Sequence, residues 1–266
     1  MTNVLCITGM HRSGTSLTAS WLKQCGLSLD AGSVIAPSSW NPKGHFEDRE
    51  IVTLHETAIN LLSPNSHGWK LYEAKTFQFQ PPQLEIAKKI IQVREQTNET
   101  WGWKDPRTTH FLKQWKKLIP ELKVLIIWRP ATLVINSLLK RSKEKKVLDP
   151  KNKIQIDKLN INTLNALRLW ILHNQLLYEY KKNNLKDTIL IPLDVLFNKD
   201  EHIIKLLKKM DIKLNYIPIN NVFDKKLLNQ SDQLSAAFSL IEKIPKVSLL
   251  NQSLLKISEF KLNKLD

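Results

Sequence analysis

The fold of this chain is encoded most clearly near its N-terminus, in Val4-Leu5-Cys6-Ile7-Thr8-Gly9-Met10-His11-Arg12-Ser13-Gly14-Thr15-Ser16. The apolar run before Gly9 predicts a buried strand, and the helical periodicity of residues 17–22 predicts a helix directly after the loop. Glycines permit a tight turn there, and successive backbone N–H groups at a helix start favour an anion. The stretch therefore predicts a phosphate-binding loop between a strand and a helix.

This loop differs from the mononucleotide P-loop at one position. Where GxxxxGK[ST] requires lysine, the chain has Thr15, and its cation, Arg12, lies three residues earlier. The missing lysine normally neutralises charge on the phosphates being cleaved, which disfavours hydrolysis of a nucleoside triphosphate. The alternative is a tight strand-to-helix turn that holds no ligand.

A second segment predicts another strand followed by a helix. It begins with the apolar run Val124-Leu125-Ile126-Ile127-Trp128, typical of a parallel strand, and Pro130 suits the first position of a helix. The strand ends in Arg129, where a nucleoside triphosphatase would often have a metal-binding Asp. Ser137 follows eight residues later, a little over two helical turns, so both side chains can approach one phosphate. The alternative is a surface arginine and an unrelated helix serine.

Together the two segments resemble the sulfotransferases that use 3′-phosphoadenosine 5′-phosphosulfate (PAPS). Arg12-Ser13-Gly14-Thr15-Ser16 is similar to the 5′-phosphosulfate loop of that family, and Arg129 with Ser137 to its contacts with the 3′-phosphate. The resemblance implies an α/β fold of three layers, like that of P-loop proteins, with a central parallel sheet flanked by helices. It also implies PAPS as cofactor, PAP as product and no metal. Its cofactor-binding residues would be Gly9, His11, Arg12, Ser13, Gly14, Thr15, Ser16, Arg129 and Ser137, although His11 could equally bond its own backbone.

A turn-rich segment before the predicted helix Ile51 to Leu62 carries the candidate base. It is Asn41-Pro42-Lys43-Gly44-His45-Phe46-Glu47-Asp48, and it is similar to a stretch of bacterial and glycan-directed sulfotransferases. The resemblance implies that Glu47, or else His45, deprotonates the acceptor hydroxyl. A carboxylate can serve if burial raises its pKa, and a histidine needs little tuning. The alternatives are a first-turn acid that favours the helix dipole and a loop histidine without a catalytic role.

The segment Trp101-Gly102-Trp103-Lys104-Asp105-Pro106-Arg107-Thr108 carries further candidate chemistry. It predicts a strand end at Lys104 and a helix that opens at Pro106 and runs through Trp115. By resemblance to a Lys-Asp-Pro-Arg motif of sulfotransferases, Lys104 would stabilise the departing PAP. Arg107 would bind the acceptor or hold Glu47 in place. The alternative is a group of surface ions of little energetic weight.

The remaining pattern alternates strands and helices, which predicts a parallel sheet with right-handed crossovers. Further helices are predicted from Pro82 to Glu95, from Asn160 to Tyr180 and from Asp200 to Met210, and a strand from Thr188 to Pro192. The helical spacing predicts that Leu164, Leu167, Ile171 and Leu172 form the apolar side of the helix from Asn160. Residues 142–157 suggest a flap, and after Asp211 the signals weaken, with one helix candidate at 233–241.

Composition limits the remaining choices. With 266 residues and 42% hydrophobic content, one domain over residues 1–266 is the economical prediction. Cys6 and Cys25 lie in apolar stretches of the sequence, which predicts buried thiols in a reducing compartment. The chain shows neither a signal peptide nor a membrane-spanning run, so we expect a cytoplasmic protein. Its net charge of +15 comes from dispersed lysines, which argues against nucleic acid and favours either steering of an anionic cofactor or compositional bias.

The sequence thus predicts in-line transfer of a sulfuryl group from PAPS to an acceptor hydroxyl. The cytosolic branch of the family has a C-terminal Arg-Lys-Gly loop, and this chain has no such triplet. The resemblance therefore favours the bacterial or glycan branch, with a carbohydrate or glycolipid acceptor. Two alternatives remain open. One is a P-loop small-molecule kinase with a degenerate loop, and the other is a nucleotide-binding protein that has lost catalysis.

Overall fold

The strands form one parallel sheet. The computed structural model describes residues 2–29, 44–64, 66, 70–71, 76–143, 161–223 and 236–260. Within them the sheet has the order β2-β1-β3-β4 and all neighbouring strands are parallel. The strands are β1 (Asn3–Thr8), β2 (Thr100–Lys104), β3 (Lys123–Trp128) and β4 (Thr188–Pro192). The predicted α/β class with a central parallel sheet is confirmed.

Helices connect the strands and continue after the last one. They are α1 (Thr15–Gln24), α2 (Arg49–Leu62), α3 (Pro81–Thr97), α4 (Leu112–Leu118), α5 (Ala131–Lys143), α6 (Thr163–Asn183), α7 (Val195–Asn198), α8 (Asp200–Lys209), α9 (Ala236–Lys243) and α10 (Pro245–Ile257). Short 3₁₀ turns cover Pro106–His110, Leu185–Asp187 and Ile219–Asn221.

Alternate residues of each strand face opposite sides of the sheet, and this period of two produces the three layers. Val4 and Cys6 of β1 belong to one apolar cluster, packed against α2, α3, α4, α6 and α10. Leu5 and Ile7 belong to the other cluster, packed against α1, α7 and α8. Both cysteines are free and buried, as predicted, and burial raises the pKa of both thiols.

Two sequence predictions need correction. The helix predicted to open at Pro106 is a 3₁₀ turn up to His110, and α4 begins only at Leu112, because the Asp105 side chain caps the turn through Arg107 N. In α6, Leu164 is 55% exposed rather than part of the apolar side. The buried face follows a helical period instead, through Ala166, Leu169, Trp170, His173 and Leu177.

The carboxyl ends of all four parallel strands lie at one edge of the sheet, and this edge positions the candidate site. Thr8 at the end of β1 is held to the end of β2, since its Oγ1 donates to the Asp105 carbonyl oxygen over 3.2 Å. Of the segments predicted from the sequence, 41–43, most of the flap (144–157) and 233–235 lie outside the described residues.

Candidate active site

The loop after β1 has the backbone of an anion cradle. Gly9 and Gly14 have φ of 153° and 93°, in the region that favours glycine. A Cβ on Gly9 would lie 2.1 Å from the Ile127 carbonyl oxygen, and one on Gly14 would lie 2.3 Å from Leu193 Cδ1. The loop therefore packs tightly against β3 and the residue after β4, which explains both glycines.

The start of α1 offers polar groups to a ligand. Gly14 is the N-cap of the helix and has no side chain to satisfy the first N–H groups. The Ser13 hydroxyl is buried, and among the described residues its Oγ has no hydrogen-bond partner. A buried hydroxyl of this kind costs free energy unless a water or ligand satisfies it. Helix N–H groups beside an unsatisfied hydroxyl favour an anionic ligand such as a phosphate.

Arg12 joins the two motifs that carry the family resemblance. Its Nε donates to Ser137 Oγ over 2.9 Å, although 125 residues separate them along the chain. Arg12 itself has a φ of 70°, a left-handed conformation that is uncommon outside glycine and is found at functional turns. Ser137 lies on α5 and is 8% exposed. The structure thus brings the arginine of the loop and the serine of α5 into direct contact.

Arg129 follows β3 at the same edge of the sheet. Its carbonyl oxygen accepts a hydrogen bond from Trp170 Nε1 over 2.9 Å, which anchors the strand end to α6. Partial burial lowers the pKa of Arg129, and the charge of Asp194 opposes that shift. The guanidinium therefore has limited hydration, which increases the strength of its interaction with an anion.

Lys104 and Glu47 form a buried ion pair at the end of β2. Lys104 Nζ lies 2.6 Å from Glu47 Oε1, and the two side chains are 1% and 11% exposed. Asp48, the next residue, fixes this position because it caps α2 through Glu50 N and Ile51 N and pairs with Arg94 over 2.7 Å. The two candidate catalytic groups are brought into direct contact.

Arg107 contacts three carboxylates, and one of them is Glu47 of that pair. Its Nη1 lies 2.9 Å from Asp105 Oδ1 and 3.7 Å from Glu47 Oε2, and its Nη2 lies 2.8 Å from Glu56 Oε1. Burial alone would lower the pKa of Arg107, but the carboxylates outweigh it and raise the pKa. Burial also raises the pKa of Glu56, against the Arg107 charge. Sequence reasoning missed Glu56.

His55 and Trp115 continue the network into the core, and sequence reasoning missed both. His55 Nδ1 lies 2.7 Å from Asp105 Oδ2, and Trp115 Nε1 donates to His55 Nε2 over 2.8 Å. A signal for His55 exists, since it lies on the apolar face of α2 with Ile51, Leu54, Ala58 and Ile59. A polar residue on a buried helix face needs a partner, but the sequence does not tell which one.

His45 lies close to the loop as well. Its carbonyl oxygen accepts a hydrogen bond of 3.4 Å from Ser16 Oγ. Burial lowers the pKa of His45, and the Glu47 charge opposes this, so the ring is largely neutral near pH 7. Both candidate bases, Glu47 and His45, therefore lie at this edge.

A second group of histidines lies between the loop, the 3₁₀ turn and α6. His110 Nε2 and His173 Nε2 are 3.4 Å apart, and the rings of His11 and His173 are in an edge contact at 6.1 Å. Burial lowers the pKa of His11 and of His173 well below the usual value.

In the described part of the chain, no cluster of His, Cys, Asp and Glu could hold a metal ion. Nor is any of the described helices long and apolar enough to cross a bilayer.

No family model and no curated protein matches this chain. One similar solved structure is the sulfotransferase domain of the olefin synthase of Synechococcus PCC 7002, with 13% identity over 99% of this chain and 96% of that one, at a TM-score of 0.49. Another is the sulfotransferase domain from the curacin biosynthetic pathway, with 14% identity, coverage of 91% and 97%, and a TM-score of 0.49. A third is the sulfotransferase STF1 of Mycobacterium tuberculosis H37Rv, with 11% identity, coverage of 96% and 77%, and a TM-score of 0.49. At such identities and TM-scores, activity has to be inferred from the residues of the site.

Proposed function

We propose that this chain is a PAPS-dependent sulfotransferase that transfers a sulfuryl group to an acceptor hydroxyl. The observation that carries the proposal is the hydrogen bond of 2.9 Å between Arg12 and Ser137. It joins a loop that resembles a 5′-phosphosulfate site to a helix that resembles a 3′-phosphate site. A nucleotide with phosphate at both positions would need both elements side by side.

The residues fit PAPS in their chemistry. The glycine-shaped loop, the Ser13 hydroxyl and the first N–H groups of α1 would hold the 5′-phosphosulfate. Arg129 and Ser137 would hold the 3′-phosphate. His11, Thr15 and Ser16 complete the loop side of the site. When bound, PAPS supplies an activated sulfuryl group whose leaving group is a phosphate.

Glu47 would act on the acceptor hydroxyl that attacks the sulfuryl group, and Lys104 on the oxygen that leaves it. Glu47 Oε1 is taken by Lys104, and Oε2 faces Arg107 at 3.7 Å, a distance that leaves this oxygen able to accept the proton of an acceptor hydroxyl. Lys104 Nζ has three N–H bonds, so it can contact Glu47 and also an oxygen on which charge develops. His45 is the second candidate base.

The acceptor is proposed from the family branch and from charge. The resemblance to glycan-directed sulfotransferases favours a carbohydrate or glycolipid hydroxyl, and the cations Arg107 and Lys104 lie beside the candidate base. A net charge of +15 would favour the approach of PAPS and of an acidic acceptor. No metal is needed for the steps assigned to these side chains.

Calorimetric titration with PAP, ADP and Mg-ATP tests the proposal. We expect wild-type protein to bind PAP much more tightly than the other two nucleotides. Arg129→Ala should weaken PAP about 10- to 100-fold, because it removes a charged hydrogen-bond donor. Arg168→Ala, which removes an exposed arginine from α6, is the matched control and should leave PAP affinity unchanged.

Two results of this titration would contradict the proposal. Preference for Mg-ATP over PAP would favour the kinase alternative. Equal loss of affinity in both arginine variants would mean that PAP binds through general charge rather than through the proposed site.

A further inference from the structure

A continuous chain of buried hydrogen bonds runs beneath the candidate catalytic pair. It begins at Trp115 on α4, passes through His55 on α2 and Asp105 after β2, and reaches Arg107 in the 3₁₀ turn. His55 and Asp105 are both 0% exposed. Buried polar groups are costly unless they are paired, and among the described residues of this hydrogen-bonded chain only Arg107 Nε lacks a hydrogen-bond partner, so the geometry of the chain is strongly specified.

Trp115 fixes the tautomer of His55. The indole Nε1–H can only donate, so His55 Nε2 must accept and carries no proton. The single proton of the neutral ring therefore lies on Nδ1 and is donated to Asp105 Oδ2 over 2.7 Å. Phe111 stacks on the imidazole at a centroid distance of 4.6 Å and holds its plane.

Asp105 connects His55 to Arg107 through its two carboxylate oxygens. While Oδ2 accepts from His55, Oδ1 accepts from Arg107 N over 3.0 Å and from Arg107 Nη1 over 2.9 Å. Burial alone would raise the pKa of Asp105, but the Arg107 charge and the His55 hydrogen bond outweigh it and hold the pKa below the usual range. The carboxylate is thus charged and held by three hydrogen bonds.

Arg107 connects this hydrogen-bonded chain to the proposed catalytic groups. Its Nη1 lies 3.7 Å from Glu47 Oε2 and its Nη2 pairs with Glu56. A guanidinium is planar, so fixing one edge on Asp105 fixes the direction of the other N–H groups. We propose that His55 and Asp105 are positioning residues that hold Arg107, and through it the pair Glu47 and Lys104, in the geometry needed for transfer. This inference rests on the proposed function.

Two substitutions of His55 separate positioning from mere packing. His55→Asn places an amide where Nδ1 lies, so it keeps the donor to Asp105 and loses the acceptor for Trp115. His55→Gln reaches the place of Nε2, so it keeps the Trp115 contact and leaves Asp105 Oδ2 without its donor. Asn is smaller than Gln by one CH₂ group and leaves the larger gap in the core, so a loss confined to His55→Gln cannot be a consequence of lost volume. Leu207→Ala, a buried change in α8 on the other side of the sheet, is the control for lost stability alone.

The first readout does not need an acceptor. In protein with ¹⁵N-labelled lysine, the ammonium signal of Lys104 should be visible, because burial and the 2.6 Å contact with Glu47 slow its exchange with water. We expect His55→Asn and Leu207→Ala to keep this signal and His55→Gln to lose or shift it. An unchanged Lys104 signal in His55→Gln would overturn the inference.

The second readout is turnover, measured as release of PAP from PAPS with water or an identified hydroxyl compound as acceptor. His55→Gln should lower kcat by up to about 100-fold with little change in PAP affinity, and His55→Asn should retain most of the rate. Equal losses in both variants would mean that His55 serves packing alone. Absence of PAP binding in wild type would refute the proposed function, whereas the Lys104 signal would still decide whether His55 positions the pair.

Discussion

The loop at residues 9–16 is one continuous turn whose shape depends on its own backbone, whereas the ion-pair network combines side chains from residues 47 to 115. The loop is shaped by two glycines that closely approach Ile127 of β3 and Leu193, the residue after β4. The network is held by Arg107, which contacts Asp105, Glu47 and Glu56. A site can thus combine a part that depends on local conformation with a part that depends on buried charge. Substitutions should affect the two parts differently.

The largest expected effect is on the stability of the network. Arg107→Ala would leave Asp105, Glu47 and Glu56 without their shared cation, and removing one member of a buried ion pair costs about 3–5 kcal/mol. Urea denaturation should show this loss in the free energy of unfolding. Arg12→Ala, in the loop, is the matched substitution and should cost only about 1–2 kcal/mol, because it removes the single hydrogen bond to Ser137. Equal losses would remove the distinction between the two parts.

The second effect breaks the loop and leaves the network intact. Gly14→Ala introduces a Cβ at a φ of 93°, within 2.3 Å of Leu193 Cδ1, and should cost about 2–3 kcal/mol together with most of the PAP affinity. Gly26→Ala is the control, because its φ is 103° but a Cβ there meets nothing within 4 Å. It should cost about 1–2 kcal/mol and leave PAP affinity unchanged. Calorimetry with PAP and denaturation of both variants would measure the difference.

The third effect concerns the histidines between the two parts. Burial lowers the pKa of His11 and His173 in the folded state, so the unfolded chain binds protons more readily. Their neutral forms therefore stabilise the fold above about pH 6.5, and this stability is lost as pH falls below that value. Each should contribute a slope of up to about 1.4 kcal/mol per pH unit.

Denaturation at pH 7.5 and 5.5 would test this slope. His173→Gln should reduce it, whereas His202→Gln, an exposed change in α8, should leave it unchanged. A wild-type stability that is equal at the two pH values would contradict the assignment. The low pKa of Asp105 adds a further loss of the same sign, but only below about pH 4.

The loop could be predicted from the sequence, whereas much of the ion-pair network could not. The strand, loop and helix at the N-terminus are contiguous, so apolar periodicity and glycine spacing were sufficient to predict them, and β4 was predicted at Thr188–Pro192 with its observed bounds. The roles assigned to Arg12, Lys104 and Glu47 remain predictions. His55, Glu56 and Trp115 were missed because their meaning depends on partners 50 to 60 residues away, and no local pattern records such pairing.

The smallest expected effect distinguishes the family resemblance from the observed contact. The resemblance implies that Ser137 touches the 3′-phosphate, whereas in the structure its Oγ accepts from Arg12 Nε. Ser137→Ala should weaken PAP by about 1 kcal/mol, roughly fivefold. Measuring PAP affinity for Ser137→Ala, Arg12→Ala and the double variant completes a cycle. If Ser137 acts by orienting Arg12, its substitution has no further effect once Arg12 is gone. If Ser137 binds the phosphate itself, the two losses of PAP affinity add. Ser137 then acts as the spacing from Arg129 to Ser137 in the sequence predicts.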